Sequence, residues 1–375
     1  MQRPPGKRCM SRCRPKLMAL GAGVVLVATV LCAGPVEEWA LSPSAGRPLS
    51  ADAGRLRRAA AALDGGSLRA EAPRLYRLAN SGACQEVGEG GGGAGGGGGG
   101  GGAVFLLGFV TSKPSHSESR AAIRESWGSV TSVRGRRVKT LFALGLPESE
   151  EEQRAVAREA ERHRDVVQGL FADTYLNLTL KTIMATRWFV TYCPSAEFLL
   201  KVDDDVFLNY RNLVGRLAGL GAGPEDLYLG RVHRNVPVDR DPASLYYTPR
   251  WAFLEDTYPN YCSGTSYVLS RQAARKVYVA ALSLPLLSIE DVFVGLCAHR
   301  VGVQPTHTAD MSGGPRFWPG RCCYKSILSS HHLGPQELRA AWGQVDDGRD
   351  CSALGRLAGI FVCKLLNLVD QVRAL

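Results

Sequence analysis

EFLLKVDDDVFLN, Glu197–Asn209, runs apolar into three consecutive aspartates and returns at once to Val206, Phe207 and Leu208. A short apolar run bounded by polar residues reads as a buried strand. Three adjacent carboxylates repel one another, so they either lie in water or face something that offsets their charge. In open α/β sheets, ligands bind beyond the carboxyl ends of the strands, which is where these aspartates are expected. Side chains alternate along extended chain, so Asp203 and Asp205 should share a face and Asp204 should point away. Two convergent carboxylates at a strand end suit a hard divalent cation such as Mn²⁺ or Mg²⁺. Such a cation can hold a diphosphate and neutralise it as a leaving group. The D-x-D-x-D-G spacing of an EF-hand is absent. The plain alternative is a solvated acidic turn, and the place at a predicted strand terminus favours the cation site.

Outward from this strand, apolar runs alternate with helix-like stretches. Strands are expected over 103–110, 137–145, 165–171, 226–232 and 261–270. Helices are expected over 115–128, 148–163, 178–193 and 290–302, the first with Ser115 or Ser117 as its cap. In the third helix Leu180, Ile183, Met184 and Trp188 recur at helical spacing. This alternation predicts an α/β domain over 103–375 with a mostly parallel sheet and helices on both faces. Residues 88–102 are almost all glycine, a composition that behaves as a flexible tether. Residues 37–102 therefore read as a stem.

The formal net charge of +10 is concentrated in a tail: residues 1–16 hold six bases and no acid. Nucleic-acid binding is therefore not the reading, because these bases precede the uncharged stretch Leu17–Val36. At about 1.5 Å per residue that stretch reaches roughly 30 Å, enough to cross a hydrocarbon core. Bases before it and Glu37 and Glu38 after it predict a type II anchor, with 1–16 cytosolic and the rest lumenal. A cleaved signal peptide is the alternative, but the apolar run exceeds the usual core of about 7–15 residues. Eight cysteines follow the span, an even set that suggests disulfides in an oxidising compartment. None is spaced C-x-x-C, so no zinc site is expected. Asn177-Leu178-Thr179 is an N-glycosylation sequon.

Seven segments, in order, resemble a known family: RAAIRESWG (120–128), FALG (142–145), FADTYLNLTLKT (171–182), KVDDDVFLN (201–209), YPNYCSGTSYVLS (258–270), EDVFVGLC (290–297) and CCYKSILSSHHLGPQEL (322–338). The chain looks like the β-1,3-glycosyltransferase family that includes the β-1,3-galactosyltransferases and β-1,3-N-acetylglucosaminyltransferases of the Golgi. The resemblance implies a Rossmann-like A-type glycosyltransferase fold, a UDP-sugar donor, Mn²⁺ with Mg²⁺ as the substitute, and an acceptor glycan on a glycoprotein or glycolipid. It further implies a single-pass protein of the Golgi membrane that transfers the sugar by direct, inverting displacement. Its family pattern makes Asp205 the first metal ligand and puts Asp203 on the donor's ribose or the metal shell, with Asp204 a spacer or secondary contact. His331 is the implied third ligand, with His332 beside it as the competing choice.

Asp291 is the implied general base, since a sugar hydroxyl is a weak nucleophile and a positioned carboxylate typically contributes about 10²–10⁴-fold. Against this, Ser288 and Asp291 are spaced as a helix-capping pair. Glu290 is the next candidate. Arg120 and Arg124, at i and i+4, could meet the uridine diphosphate or form an ordinary charged face with Glu118 and Glu125. Trp127 reads as core. Ser263, Gly264 and Tyr267 belong to the loop the family places near donor sugar and acceptor. Ser266 stands where many relatives have glycine, so a narrowed pocket is an expectation. KVDDD lacks the glycine that follows the lysine in several N-acetylglucosaminyl enzymes, which favours UDP-galactose over UDP-GlcNAc. A non-catalytic glycan-binding or chaperone relative is the reading from another class.

Overall fold

The computed structural model describes residues 51–63, 75–85, 103–221, 225–314 and 316–373. The expected anchor at 17–36 lies outside them, and no helix among the described residues is long and apolar enough to cross a membrane. In chain order the helices are α1 (Ala51–Ala61), α2 (Ser117–Arg124), α3 (Glu150–His163), α4 (Leu178–Tyr192), α5 (Tyr210–Ala218), α6 (Arg271–Ala281), α7 (Glu290–Arg300), α8 (Arg321–Tyr324), α9 (Pro335–Val345) and α10 (Ala353–Arg373). The strands are β1 (Tyr76–Leu78), β2 (Val104–Thr111), β3 (Ser132–Val133), β4 (Arg136–Leu146), β5 (Val166–Ala172), β6 (Phe198–Asp203), β7 (Phe207–Leu208), β8 (Tyr228–His233), β9 (Tyr261–Ser270), β10 (Pro305–His307) and β11 (Ser329–Ser330).

The main sheet runs β1-β5-β4-β2-β6-β9-β8-β10, with β3 on β4. The block β5-β4-β2-β6 is parallel and is joined by helical crossovers, a Rossmann-like half. Strands β2 and β6 at its centre are buried on both faces, which is why they read as near-continuous apolar runs. The expectation of a mostly parallel sheet is corrected beyond β6, because β9 runs antiparallel to both β6 and β8. Strand direction leaves no mark on the apolar pattern of a doubly covered strand, so the sequence did not carry it. The reversal matters for the site: it lays the start of β9 against the carboxyl end of β6, with Ser266 opposite Val202.

One face is covered by α1, α4, α6 and α7 around Phe109, Trp188, Tyr278 and Phe293. The other is covered by α2, α5 and α9 around Trp127, Tyr210 and Leu338. Trp127 is fully buried, as expected. Helix α2 begins without a side-chain cap, at His116, so neither Ser115 nor Ser117 caps it. Part of the segment read as a stem belongs to the fold. In α1, Leu56 and Ala60 enter the core, and Arg57 bonds Asp226 at 2.8 Å. Strand β1 pairs with β5, and Cys84 is bonded to Cys193. Cys322–Cys351 and Cys323–Cys363 tie the region before β11 to the carboxyl-terminal segment, while Cys262 and Cys297 are buried thiols.

Candidate functional site

The strand order places β4 on one side of β2 and β6 on the other, so consecutive crossovers diverge there. Such a switch point opens a crevice beyond the strand ends. Thr111 and Asp203, the last residues of β2 and β6, are register partners at its floor. A cleft of about 300 Å³ opens there, lined by Ser112, His116, Tyr175, Lys181, the three aspartates and His331.

The aspartates do not alternate as extended chain would. Strand β6 ends at Asp203, and Asp204 and Asp205 sit in the turn that follows. Each therefore finds its own partner. Asp203 accepts from Lys201 Nζ and Thr111 Oγ1, both at 2.6 Å. Asp204 accepts from Ser112 Oγ at 2.6 Å and pairs with His116 Nδ1 at 2.9 Å. That hydrogen bond raises the pKa of His116. Asp204 thus lines the cleft rather than pointing away.

Asp205 faces His331 Nε2 at 3.2 Å and His332 Nδ1 at 3.8 Å. The short ribbon β7–β11 delivers them: Ser330 pairs with Phe207, and Leu333 N donates to the Asp205 carbonyl. His332 adopts a left-handed φ of 60°, which few residues other than glycine hold. One carboxylate and two imidazoles offer ligand atoms within 4.8 Å of one another. His331 Nδ1 lies 3.1 Å from the Gly314 carbonyl, an acceptor only, so Nδ1 carries a proton. The Nε2 lone pair then meets a carboxylate oxygen, and only a second proton or a cation makes that contact favourable. This nitrogen–oxygen set fits Mn²⁺, with the backbone carbonyl orienting the imidazole. Asp203 stands outside this group and is held by Lys201 and Thr111, while His332 lies beside Asp205 and His331.

Asp291 lies in the first turn of α7, where an acid is favoured by the helix dipole. The capping pair with Ser288 does not form: Ile289 occupies the cap position with no side-chain bond. Asp291 Oδ2 instead accepts from Gly264 N at 3.0 Å, and burial raises its pKa. Glu290 is buried, accepts from Tyr267 Oη at 2.7 Å and lies 3.4 Å from Lys201 Nζ; burial raises its pKa too. Buried Lys201, which also donates to the Gly264 carbonyl, therefore joins the D-x-D segment to the Glu-Asp segment. A Cβ on Gly264 would stand 3.1 Å from Glu290 Oε2, so the backbone there approaches the acids closely. Ser263 Oγ donates to the Gly313 carbonyl. Ser266 is buried and bonded to Ser329 Oγ at 2.8 Å, so its side chain does not narrow the cleft.

Arg120 and Arg124 do not line the cleft, although Arg120 Nη1 donates at 3.1 Å to Ser112 Oγ, which does. Arg120 is fully buried, bidentate to Glu159, and caps the carbonyls of Lys113 and Pro114. Arg124 pairs with Glu159 and Asp165. Neither partner is Glu118 or Glu125: the acids come from α3 and the start of β5, which the i,i+4 pattern does not reveal. Asn177 Nδ2 donates to the Ala172 carbonyl, and Thr179 of the sequon is buried with its hydroxyl on the Leu287 carbonyl.

Sequence reasoning did not assign roles to Thr111, Ser112, His116 and Lys201. The strand-end rule that singled out the aspartates applied equally to Thr111 and Ser112. Next to Asp291 is an aromatic hollow of about 370 Å³, lined by Tyr246, Tyr258, Tyr261, Ile289 and Val292. Tyr175, at the rim of the first cleft, hydrogen-bonds Tyr246, and burial helps push its pKa up to about 12. The two hollows therefore adjoin across this tyrosine pair, the three aspartates and His331 lining one and Asp239 being the carboxylate that lines the other.

Residues 118–309 match the family model described as Galactosyltransferase. The chain is 38% identical to human Beta-1,3-galactosyltransferase 9, over 72% of this chain and 73% of that one. It is also 38% identical to human Lactosylceramide 1,3-N-acetyl-beta-D-glucosaminyltransferase, over 71% and 72%. To mouse Beta-1,3-galactosyltransferase 4 it is 37% identical, over 70% and 80%.

Proposed function

The chain belongs to the galactosyltransferase family as a β-1,3-glycosyltransferase, and from that premise we propose that it transfers galactose from UDP-galactose to the 3-hydroxyl of an acceptor sugar, with inversion. The observation that carries this reading is the link made by Lys201, which fixes the D-x-D end of one hollow against the Glu-Asp end of the other. Donor and acceptor then meet between the aspartates and Asp291.

Asp291, ionised, takes the proton of the acceptor hydroxyl. The freed oxygen forms a bond to the donor's anomeric carbon while the bond from that carbon to the diphosphate oxygen breaks on the opposite side. An α-linked donor thus yields a β product. Asp205, His331 and His332 would hold a divalent cation, and the chemistry it would supply there is neutralisation of the diphosphate's charge. Asp203, kept in place by Lys201 and Thr111, addresses the donor's ribose. Glu290 positions Lys201 and does not touch substrate. The tyrosine-lined hollow takes the acceptor. Residues 1–16, 17–36 and the link that follows make the protein a type II enzyme of the Golgi membrane, built on the A-type glycosyltransferase plan.

The test is transfer from UDP-galactose and UDP-GlcNAc, each with Mn²⁺ and with chelator. Galactose transfer that chelator abolishes is expected, and preference for the acetamido donor would overturn the donor assignment. Calorimetry of Mn²⁺ binding should show Asp205→Ala weakening affinity by more than about 100-fold, beyond what loss of an orienting partner costs. Unchanged Mn²⁺ affinity would remove the metal site.

A further inference from the structure

Residues 263–265 of β9 lie where the ladders of that strand fail. The register with β6 ends at Ser266, and the register with β8 breaks between Gly230 and Val232, whose partners are Tyr267 and Cys262. Irregularities of this kind re-aim groups beside active sites. The Gly264 backbone is thereby left to donate its N–H to Asp291 and to offer its carbonyl to Lys201. Side chains two apart on a strand share a face, and Ser263 and Thr265 both reach segment 312–314. Thr265 Oγ1 donates to the Ser312 carbonyl at 2.7 Å, and Ser263 Oγ to the Gly313 carbonyl at 3.2 Å. The next carbonyl, that of Gly314, accepts from His331 Nδ1 at 3.1 Å. Ser312 Oγ accepts from His331 N at 2.7 Å.

Consecutive carbonyls are thus each taken by a side chain. Segment 312–314 lies in no helix or strand. Two of its residues are glycines, which lose more conformational freedom on ordering than any other residue. Gly313 has no alternative, because a Cβ there would run into the Arg231 side chain. The hydroxyls of β9 supply the order that the segment lacks, and Ser263, Thr265 and Ser312 are all buried, so these bonds are made away from water.

The β7–β11 ribbon fixes the backbone of His331 but not the rotation of its ring. Ser330 pairs with Phe207 and Leu333 N reaches the Asp205 carbonyl, and neither contact involves the imidazole. The ring is turned by the Gly314 carbonyl, which holds Nδ1 and aims Nε2 at Asp205, 3.2 Å away. Where that carbonyl stands depends on how the two residues before it are held.

We propose that Thr265, assisted by Ser263, is a positioning residue for the cation site: it fixes segment 312–314 and through it orients the His331 imidazole towards Asp205. This rests on the reading of Asp205, His331 and His332 as ligands of a divalent cation. The stretch that orients the histidine is also the one that holds Asp291, through Gly264.

The experiment measures Mn²⁺ binding to the full-length chain by calorimetry, without donor and well below Tm. Thr265→Val keeps the branched shape and removes the hydroxyl. It should weaken Mn²⁺ affinity about tenfold, the lower end of the range for partners that orient a ligand. Thr265→Ser returns the donor and should restore affinity to near the wild-type value. Ser263→Ala should give a smaller loss in the same direction, and it decides alone if Thr265→Val does not fold. In transfer assays, Thr265→Val should need more Mn²⁺ for half-maximal rate yet recover the wild-type kcat once Mn²⁺ is saturating. Unchanged Mn²⁺ affinity in the folded variants overturns the proposal. A kcat that stays low at saturating Mn²⁺ overturns it too, since the hydroxyl would then support the cleft in general. A wild type that binds no Mn²⁺ would remove the cation site itself, and a wild type that binds Mn²⁺ but transfers no sugar would count against the transferase reading alone, with the affinities still deciding the role of Thr265.

Discussion

Asp291 shows how one residue's environment sets a measurable property. In the role of base proposed for it, it would act ionised, and burial raises its pKa from the ordinary 3.8. Activity should therefore fall as pH drops through that raised value, so the acidic limb of kcat/KM lies above the usual carboxylate range. Asp291→Asn should lower kcat by about 10²–10⁴-fold and abolish that limb. A limb that persists in the variant would assign it to another group. Glu290, one residue earlier, is tied to Tyr267 and Lys201. Its conservative change to Gln should cost less in kcat and show as a lower Tm, since it removes one counter-charge from a buried lysine.

At the scale of elements, α2 and α3 are joined by charges that resemble a ligand site in sequence. Arg120 and Arg124 share Glu159, whose side chain is mostly buried. Burial alone would raise the pKa of Glu159, but the two guanidinium groups outweigh it and lower the value. The pair therefore stabilises the fold above the unfolded glutamate pKa, and this stability is lost as pH falls through the depressed folded value. Glu159→Gln should cost about 3 kcal/mol, the penalty of breaking a buried pair, read as a drop in Tm that narrows below about pH 4. The KM for UDP-sugar should stay unchanged in the folded variant. A selective rise in KM would return these arginines to the donor site.

For the whole molecule, the Cys84–Cys193 bond ties the segment that carries β1 to the rest of the domain. It closes a separation of 109 residues and pins the segment before the glycine run to the end of α4. Replacing both cysteines by serine should cost about 2–5 kcal/mol in thermal or denaturant unfolding. Cys193 precedes β6 and the cleft lies beyond its other end, so transfer at low temperature should be retained. Loss of transfer with an unchanged Tm would contradict this placement.

The sequence by itself determined the strand and helix alternation, the strand end at Asp203 and the burial of Trp127, and it singled out the D-x-D and Glu-Asp segments as candidates. Those are properties of local period and of strings that few alternatives share. Tertiary structure alone decided that β9 runs antiparallel, that His332 joins His331 at Asp205, that Arg120 faces Glu159, and that residues 51–61 belong to the folded body. Each of these is a meeting of segments far apart in the chain. Local pattern fixes which face of an element is apolar, whereas the partner across that face is chosen by packing and charge summed over the whole fold.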